Sequence, residues 1–190
     1  MREIKNLKKA VGVWFADEDL AIEIYGHIND WDVSTFTDMS SLFRGISFNR
    51  DINLKNWDVS NVSDATNMFQ KSQIYGDIGL SNWFFPNLKS AEYMFNEAYF
   101  GFYLNLNNWK PAGTTFYGMF EDFSCKGLDN EESILPDMSE WKLSFFDKEE
   151  EPHKMFGGEL HNFNLNECKE IVSKWDWTKE LDIDQLFFTR

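Results

Sequence analysis

Cysteine is nearly absent from this chain, with two in 190 residues, Cys125 and Cys168. A small secreted scaffold built on disulfides normally carries more. Free thiols in a reducing compartment are the simpler account, and a single bridge between the two is the alternative. The opening Met1-Arg2-Glu3-Ile4-Lys5-Asn6 leads into a mixed apolar and charged stretch with neither a signal-peptide h-region nor a small-residue cleavage site. No apolar run reaches the roughly 18 residues of a membrane span. These features lead us to expect an intracellular protein without membrane insertion. Basic charge is also scarce: 18 Lys and Arg stand against 32 Asp and Glu, a formal net charge of −14. That field repels phosphate backbones and anionic membranes and attracts basic protein surfaces. Its plainest role is to keep an aromatic-rich chain soluble.

Recognisable chemistry is missing as well. The three histidines, His27, His153 and His161, have no helix-borne zinc spacing. His153 and His161 flank Gly157-Gly158, which reads as a loop turn. There is no phosphate-binding glycine loop and no nucleophile elbow. Neither cysteine has a sequence neighbour that would activate a thiol. No catalytic residue, cofactor or metal site is therefore expected.

What the chain does have is aromatic density, 17% with 8 Trp and 19 Phe, and a repeat. Trp31, Trp57, Trp83 and Trp109 recur at intervals of 26 residues. Their surroundings recur with them: Trp31-Asp32-Val33-Ser34 to Leu42-Phe43, and Trp57-Asp58-Val59-Ser60 to Met68-Phe69. The third unit drifts but closes on Met94-Phe95, and the fourth, one residue shorter, closes on Met119-Phe120. Apolar positions fall at fixed offsets from each tryptophan. Val33, Val59 and Phe85 lie two residues after it, and Phe48, Ile74 and Phe100 lie nine before the next one. A single unit cannot bury its own apolar face, so equivalent side chains of neighbouring units must stack into ladders. The expected structural core is Trp31, Trp57, Trp83, Trp109, Phe43, Phe69, Phe95, Phe120, Met68 and Met94. The residues before each tryptophan, Asp30, Asn56, Asn82 and Asn108, read as a polar ladder at a corner, bonded to backbone.

The expected fold is therefore an α/β repeat solenoid of leucine-rich-repeat-like, right-handed coils of about 26 residues. Each coil should contribute a short strand leading into Trp-Asp-Val-Ser and a helical turn over the Asp-Met-Ser-Ser-Leu-Phe segment, capped by Asp38 or Asp64. Segments 48–51 and 74–77 should then be return loops. The expected organisation is one domain: an N-terminal helical cap over 1–26, four clear coils and one degenerate coil over 27–160, and a C-terminal cap over 161–190. In the first cap, Ile4, Leu7, Val11, Trp14 and Phe15 share a helical face, Asp17 caps a second helix and Gly26 stops it. Trp141 and Met155-Phe156 echo the repeat in the degenerate coil, whose Glu149–Glu151 run reads as a solvated loop. Asn164 is positioned to cap a closing helix over 164–175. The tail from Leu181 to Arg190 reads as an edge strand or a docking segment.

The units Phe48-Asn49-Arg50-Asp51-Ile52 and Trp57-Asp58-Val59-Ser60-Asn61-Val62-Ser63-Asp64, closing on Asn67-Met68-Phe69, resemble the BspA-type leucine-rich-repeat-like family. The likeness is good over about residues 25–125 and poor over 126–160. It implies a parallel solenoid used for attachment or protein contacts, and it carries no catalytic residues. The opening Ala10-Val11-Gly12-Val13-Trp14, followed by Tyr25-Gly26-His27-Ile28-Asn29-Asp30-Trp31, is similar to short versions in large DNA viruses of algae and protists. That likeness adds virion association to the expected locations.

The function expected from all this is a non-enzymatic protein-interaction or assembly module. Its partners would be host or virion proteins, not nucleic acid. The alternative is an acidic DNA mimic that blocks a nucleic-acid-binding enzyme, which requires regular rows of Asp and Glu. An exposed aromatic or methionine patch would favour the first. A carbohydrate-binding role would need exposed tryptophans.

Overall fold

The computed structural model describes residues 3–48, 52–109, 114–125, 136–138, 140–141, 155–156 and 173. Two helices open the chain, α1 (Leu7–Ala16) and α2 (Glu18–Tyr25). Asn6 caps α1 by accepting from the Lys9 backbone N–H, and Asp17 caps α2 by accepting from that of Leu20. Gly26, at φ 80°, ends α2. Helix α1 buries Leu7, Ala10, Val11 and Trp14, while α2 buries only Ala21 and leaves Leu20 and Ile22 exposed. Phe15 of α1 meets Phe43 and Phe48 edge-on, at centroid distances of 6.4 and 5.4 Å, so the helices sit on the first repeat unit.

Beyond Gly26 the units stack in sequence order. Four two-residue strands, β1 (Ser47–Phe48), β2 (Gln73–Ile74), β3 (Tyr99–Phe100) and β4 (Ser124–Cys125), form a parallel sheet in the order β1-β2-β3-β4. Phe48 pairs with Ile74, Ile74 with Phe100 and Phe100 with Cys125. A second column of parallel bridges joins Asp38, Asp64, Ser90 and Thr115. Strands β1, β2 and β3 lie nine to ten residues before the next tryptophan, and β1 and β2 run into the first residue of the segments 48–51 and 74–77 expected to be return loops. The buried Phe48, Ile74 and Phe100 at this point alternate with outward Ser47, Gln73 and Tyr99, which is the period-two pattern of a strand with one face on a core.

The expected helical turn is absent. Residues 39–46 run as successive i→i−3 turns: Leu42 N–H donates to Met39, Arg44 to Ser41 and Ile46 to Phe43. The N–H groups between them leave the unit altogether. Those of Met39, Ser41, Phe43 and Gly45 donate to the carbonyls of Asp64, Thr66, Met68 and Gln70, and the next two units repeat the arrangement. Left-handed backbone makes this possible. Ser41, Asn67, Tyr93 and Gly118 have φ between 53° and 60°, and Gly45, Lys71, Glu97 and Asp122 between 52° and 69°. A helix would satisfy these N–H groups internally. Here, a left-handed residue every fourth position turns half of them towards the neighbouring unit. Asp38 and Asp64 accordingly accept from the N–H two residues on, at 2.7 and 2.9 Å, as turn formers and not as helix caps.

The core is aromatic and continuous. Trp31, Trp57, Trp83 and Trp109 stack face to face with centroids 6.3 Å apart and interplanar angles of 8–22°. A parallel column of Phe43, Phe69, Phe95, Phe120 and Phe156 stacks at 5.3–5.9 Å. Trp141, Met138, Met155 and Phe156 are buried against the same core. The closing helix over 164–175, the cap over 161–190 and the Cys125–Cys168 pairing involve residues outside those described.

Candidate functional site

All ten residues singled out as a structural core lie inside the molecule: Trp31, Trp57, Trp83, Trp109, Phe43, Phe69, Phe95, Phe120, Met68 and Met94 are buried. Trp31 also borders a cleft beside the opening helices, and no tryptophan of the ladder is exposed enough to offer a face to a sugar. Sequence reasoning missed how the ladder is locked. The indole N–H of Trp57 donates to the Ile28 carbonyl at 2.9 Å, Trp83 to Leu54 at 2.8 Å, Trp109 to Leu80 at 2.8 Å and Trp141 to Leu106 at 2.7 Å. Each acceptor lies three residues before the preceding tryptophan. The same carbonyl also accepts that tryptophan's backbone N–H, closing a turn. One oxygen thus binds its own turn to the indole of the next unit. The sequence signal was the buried apolar residue at this offset: Ile28, Leu54, Leu80, Leu106 and Met138.

The polar corner is only partly as expected. Asn108 donates to the Ser81 carbonyl of the preceding unit at 2.7 Å, and Asn82 bonds within its own turn, to Gly79, at 3.4 Å. Asp30 and Asn56 are exposed. The cross-unit work falls more to Asn61 and Asn87, which donate to Ser34 and Ser60 at 2.8 Å. A half-buried amide chain runs from Gln70 to Asn96 at 2.6 Å and on to the Glu121 carbonyl at 3.2 Å.

The functional surface is therefore what the outward positions carry, and they change from unit to unit. One column reads Asp32, Asp58, Phe84, and another Ser47, Gln73, Tyr99, Ser124. Hydrogen bonds from Ser34 and Ser60 hold the Asp32 and Asp58 carboxyls below the usual carboxylate range. Burial pushes Asp38 up, but bonds from Ser40 and Lys8 outweigh it and its pKa is lowered. Acidic rows last two units and then stop, Asp32–Asp58 at Phe84 and Asp38–Asp64 at Ser90. A DNA mimic needs such rows along its whole length. Among the described residues the most exposed aromatic is Tyr75, 57% accessible, with its ring 5.6 Å from Tyr99 and its hydroxyl donating to Gln73 Oε1. Tyr93 and Tyr117 form a second ring pair at 5.2 Å, and burial with the Tyr117 bond pushes Tyr93 up to about 12.

A cleft of about 380 Å³ opens between the helices and the first unit, lined by Glu3, Ile4, Tyr25, Asp30, Trp31, Asp32 and Thr35. Among the described residues, no three His, Cys, Asp or Glu side chains group to hold a metal ion, and no helix is long and apolar enough to cross a membrane. His153 and His161 lie outside those residues.

The profile of a family described as "Mycoplasma protein of unknown function, DUF285" matches residues 13–130. The chain belongs to the DUF285 family. This family is associated with BspA-like repeat proteins, and the matched segment spans the last four residues of α1, all of α2 and the stacked units up to β4. No curated protein and no solved structure matches the chain. DUF285 membership brings no reaction, ligand or partner with it.

Proposed function

We propose that this DUF285 chain is a leucine-rich-repeat-like, right-handed solenoid that serves as a non-enzymatic protein-interaction or assembly module. The observation that carries the reading is a constant interior under a varied exterior. The same rings stack through every unit, while the outward columns change from acidic to aromatic along the stack. Stacked units hold such a surface rigid before binding, so little ordering entropy is lost on association. The exposed Tyr75, backed by Tyr99, is the type of anchor that dominates protein interfaces. On the resemblance of the opening segment to short viral versions, the same proposal extends to a viral structural or host-interaction role, intracellular or virion-associated.

The test is affinity capture followed by cross-linking, with wild-type chain and a Tyr75→Ser/Tyr99→Ser variant compared at matched folded concentration. A discrete partner retained by wild type and lost by the variant supports the reading. Turnover of a small substrate by the purified chain, with no protein captured, overturns it.

A further inference from the structure

The cleft between the helices and the first unit has a structural cause. In the second and third units, the tryptophan and the asparagine four residues after it both bond back to the preceding unit: Trp57 to Ile28 and Asn61 to Ser34, then Trp83 to Leu54 and Asn87 to Ser60. The equivalent residues of the first unit are Trp31 and Thr35, and they have no preceding unit. Trp31 turns its indole N–H to the Gly26 carbonyl at 2.9 Å, and Thr35 is left on the cleft wall. Helices α1 and α2 cover the apolar part of this terminal edge but not its polar rim. What remains is a recess whose far wall is the bare edge of a coil.

The lining of the recess specifies a chemistry. Glu3 from the start of the chain and Asp30 and Asp32 on either side of Trp31 bring three carboxylates to it from two segments. Tyr25 supplies an aromatic ring, held edge-on against Trp31 at 6.0 Å, and Ile4 an apolar wall. Lys8 of α1 is paired with Asp38 at 3.3 Å. Asp58 continues the acidic column one unit on from Asp32, outside the cleft mouth. A planar guanidinium suits this site better than a compact ammonium, because it can take a carboxylate on its edge and an aromatic ring on its face together. The overall charge of −14 draws basic segments towards the molecule.

We propose that this cleft receives an arginine side chain from a basic segment of a partner protein, with Glu3 and Asp30 holding the guanidinium and Tyr25 packing on its face. The proposal rests on the interaction-module reading and names the partner's chemistry. The flanking chain of the partner then runs along the Asp32–Asp58 column.

The experiment is titration of the isotope-labelled full chain with acetyl-arginine amide, followed by amide NMR shifts, with acetyl-citrulline amide as the neutral isostere. Saturable shifts confined to Glu3, Ile4, Tyr25 and residues 30–35, absent with citrulline, are expected. Glu3→Gln/Asp30→Asn should weaken the arginine complex at least tenfold. Thr35→Phe, which fills the cleft and leaves every charge in place, should abolish it. Equal response to citrulline, shifts spread over all acidic columns, or full binding by Thr35→Phe overturns the proposal. The two readings fail separately. If arginine leaves the cleft resonances unmoved while Tyr75→Ser/Tyr99→Ser still releases a captured protein, the cleft assignment falls and the module stands. If arginine binds as expected but wild type captures no protein, the cleft chemistry stands and the module falls.

Discussion

Replacing Trp83 tests both parts of the ladder, the stacked ring and the indole bond. Trp83 is 1% exposed and lies between Trp57 and Trp109, 6.3 Å from each, with Phe85 edge-on at 5.8 Å. Trp83→Ala removes a buried ring with neighbours on both faces, so the cost should be about 3–5 kcal/mol, the usual range for a large aromatic cut to alanine in a core. Trp83→Phe keeps a ring in the stack but removes the N–H donor to Leu54. That carbonyl still accepts the Trp57 backbone N–H, so it is not orphaned, and only one bond, about 0.5–1.5 kcal/mol net, is lost. With the smaller ring's lost packing, the phenylalanine variant should cost about 1–2 kcal/mol. Urea denaturation followed by circular dichroism, read at constant m-value, gives both numbers. The reasoning fails if the alanine variant costs less than about 1 kcal/mol, or if phenylalanine costs as much as alanine.

Ser72 has a buried hydroxyl with no hydrogen-bond partner, and the equivalent position in the next unit is Ala98. Ser72→Ala should therefore be neutral or stabilise by up to about 1 kcal/mol in the same melts, unlike most core changes. Gly79→Ala should destabilise by about 1–3 kcal/mol, because φ is 85° and a Cβ would come within 2.7 Å of the Lys55 backbone nitrogen. The Asp58 pKa is lowered in the folded chain by its two Ser60 bonds. Its contribution is therefore present above the unfolded-state value of 3.8 and is lost as pH falls through the lower folded value. Asp58→Asn keeps an acceptor for the Ser60 N–H but does not titrate, so its stability should change less steeply than wild type below about pH 4 in an acid titration of melting temperature.

The interval of the repeat and the identity of the core were legible because burial acts on side chains at fixed offsets from each tryptophan. The two opening helices were legible from Asp17 and Gly26 and from one apolar face, while the Asn6 cap of α1 was not read from the sequence. Backbone conformation between those anchors was not. Met39, Leu42 and Phe43 have helix-like spacing, but a chain of tight turns buries the same three positions, and nothing in Ser41 or Tyr93 announces left-handed backbone at a non-glycine residue. The strands escaped because two residues are too few for alternation to register, and parallel pairing depends on the neighbouring unit. The indole bonds were hidden for a related reason: their acceptors are main-chain carbonyls, 29 residues away for the ladder tryptophans, and the apolar side chain recurring at those positions marks burial but not the bond. The cleft arises where the repeat stops, so its lining mixes helix, linker and coil residues that no motif links.

Indole N–H exchange with solvent, resolved by NMR on the native chain, tests the stacking of units most directly. Trp57, Trp83, Trp109 and Trp141 each donate to a carbonyl of the preceding unit in the core, so their indole protons should exchange orders of magnitude more slowly than free tryptophan and lose that protection together on global unfolding. Exchange of the Trp57, Trp83 and Trp109 protons at the free rate under native conditions would mean that the rings do not lie over one another inside the molecule.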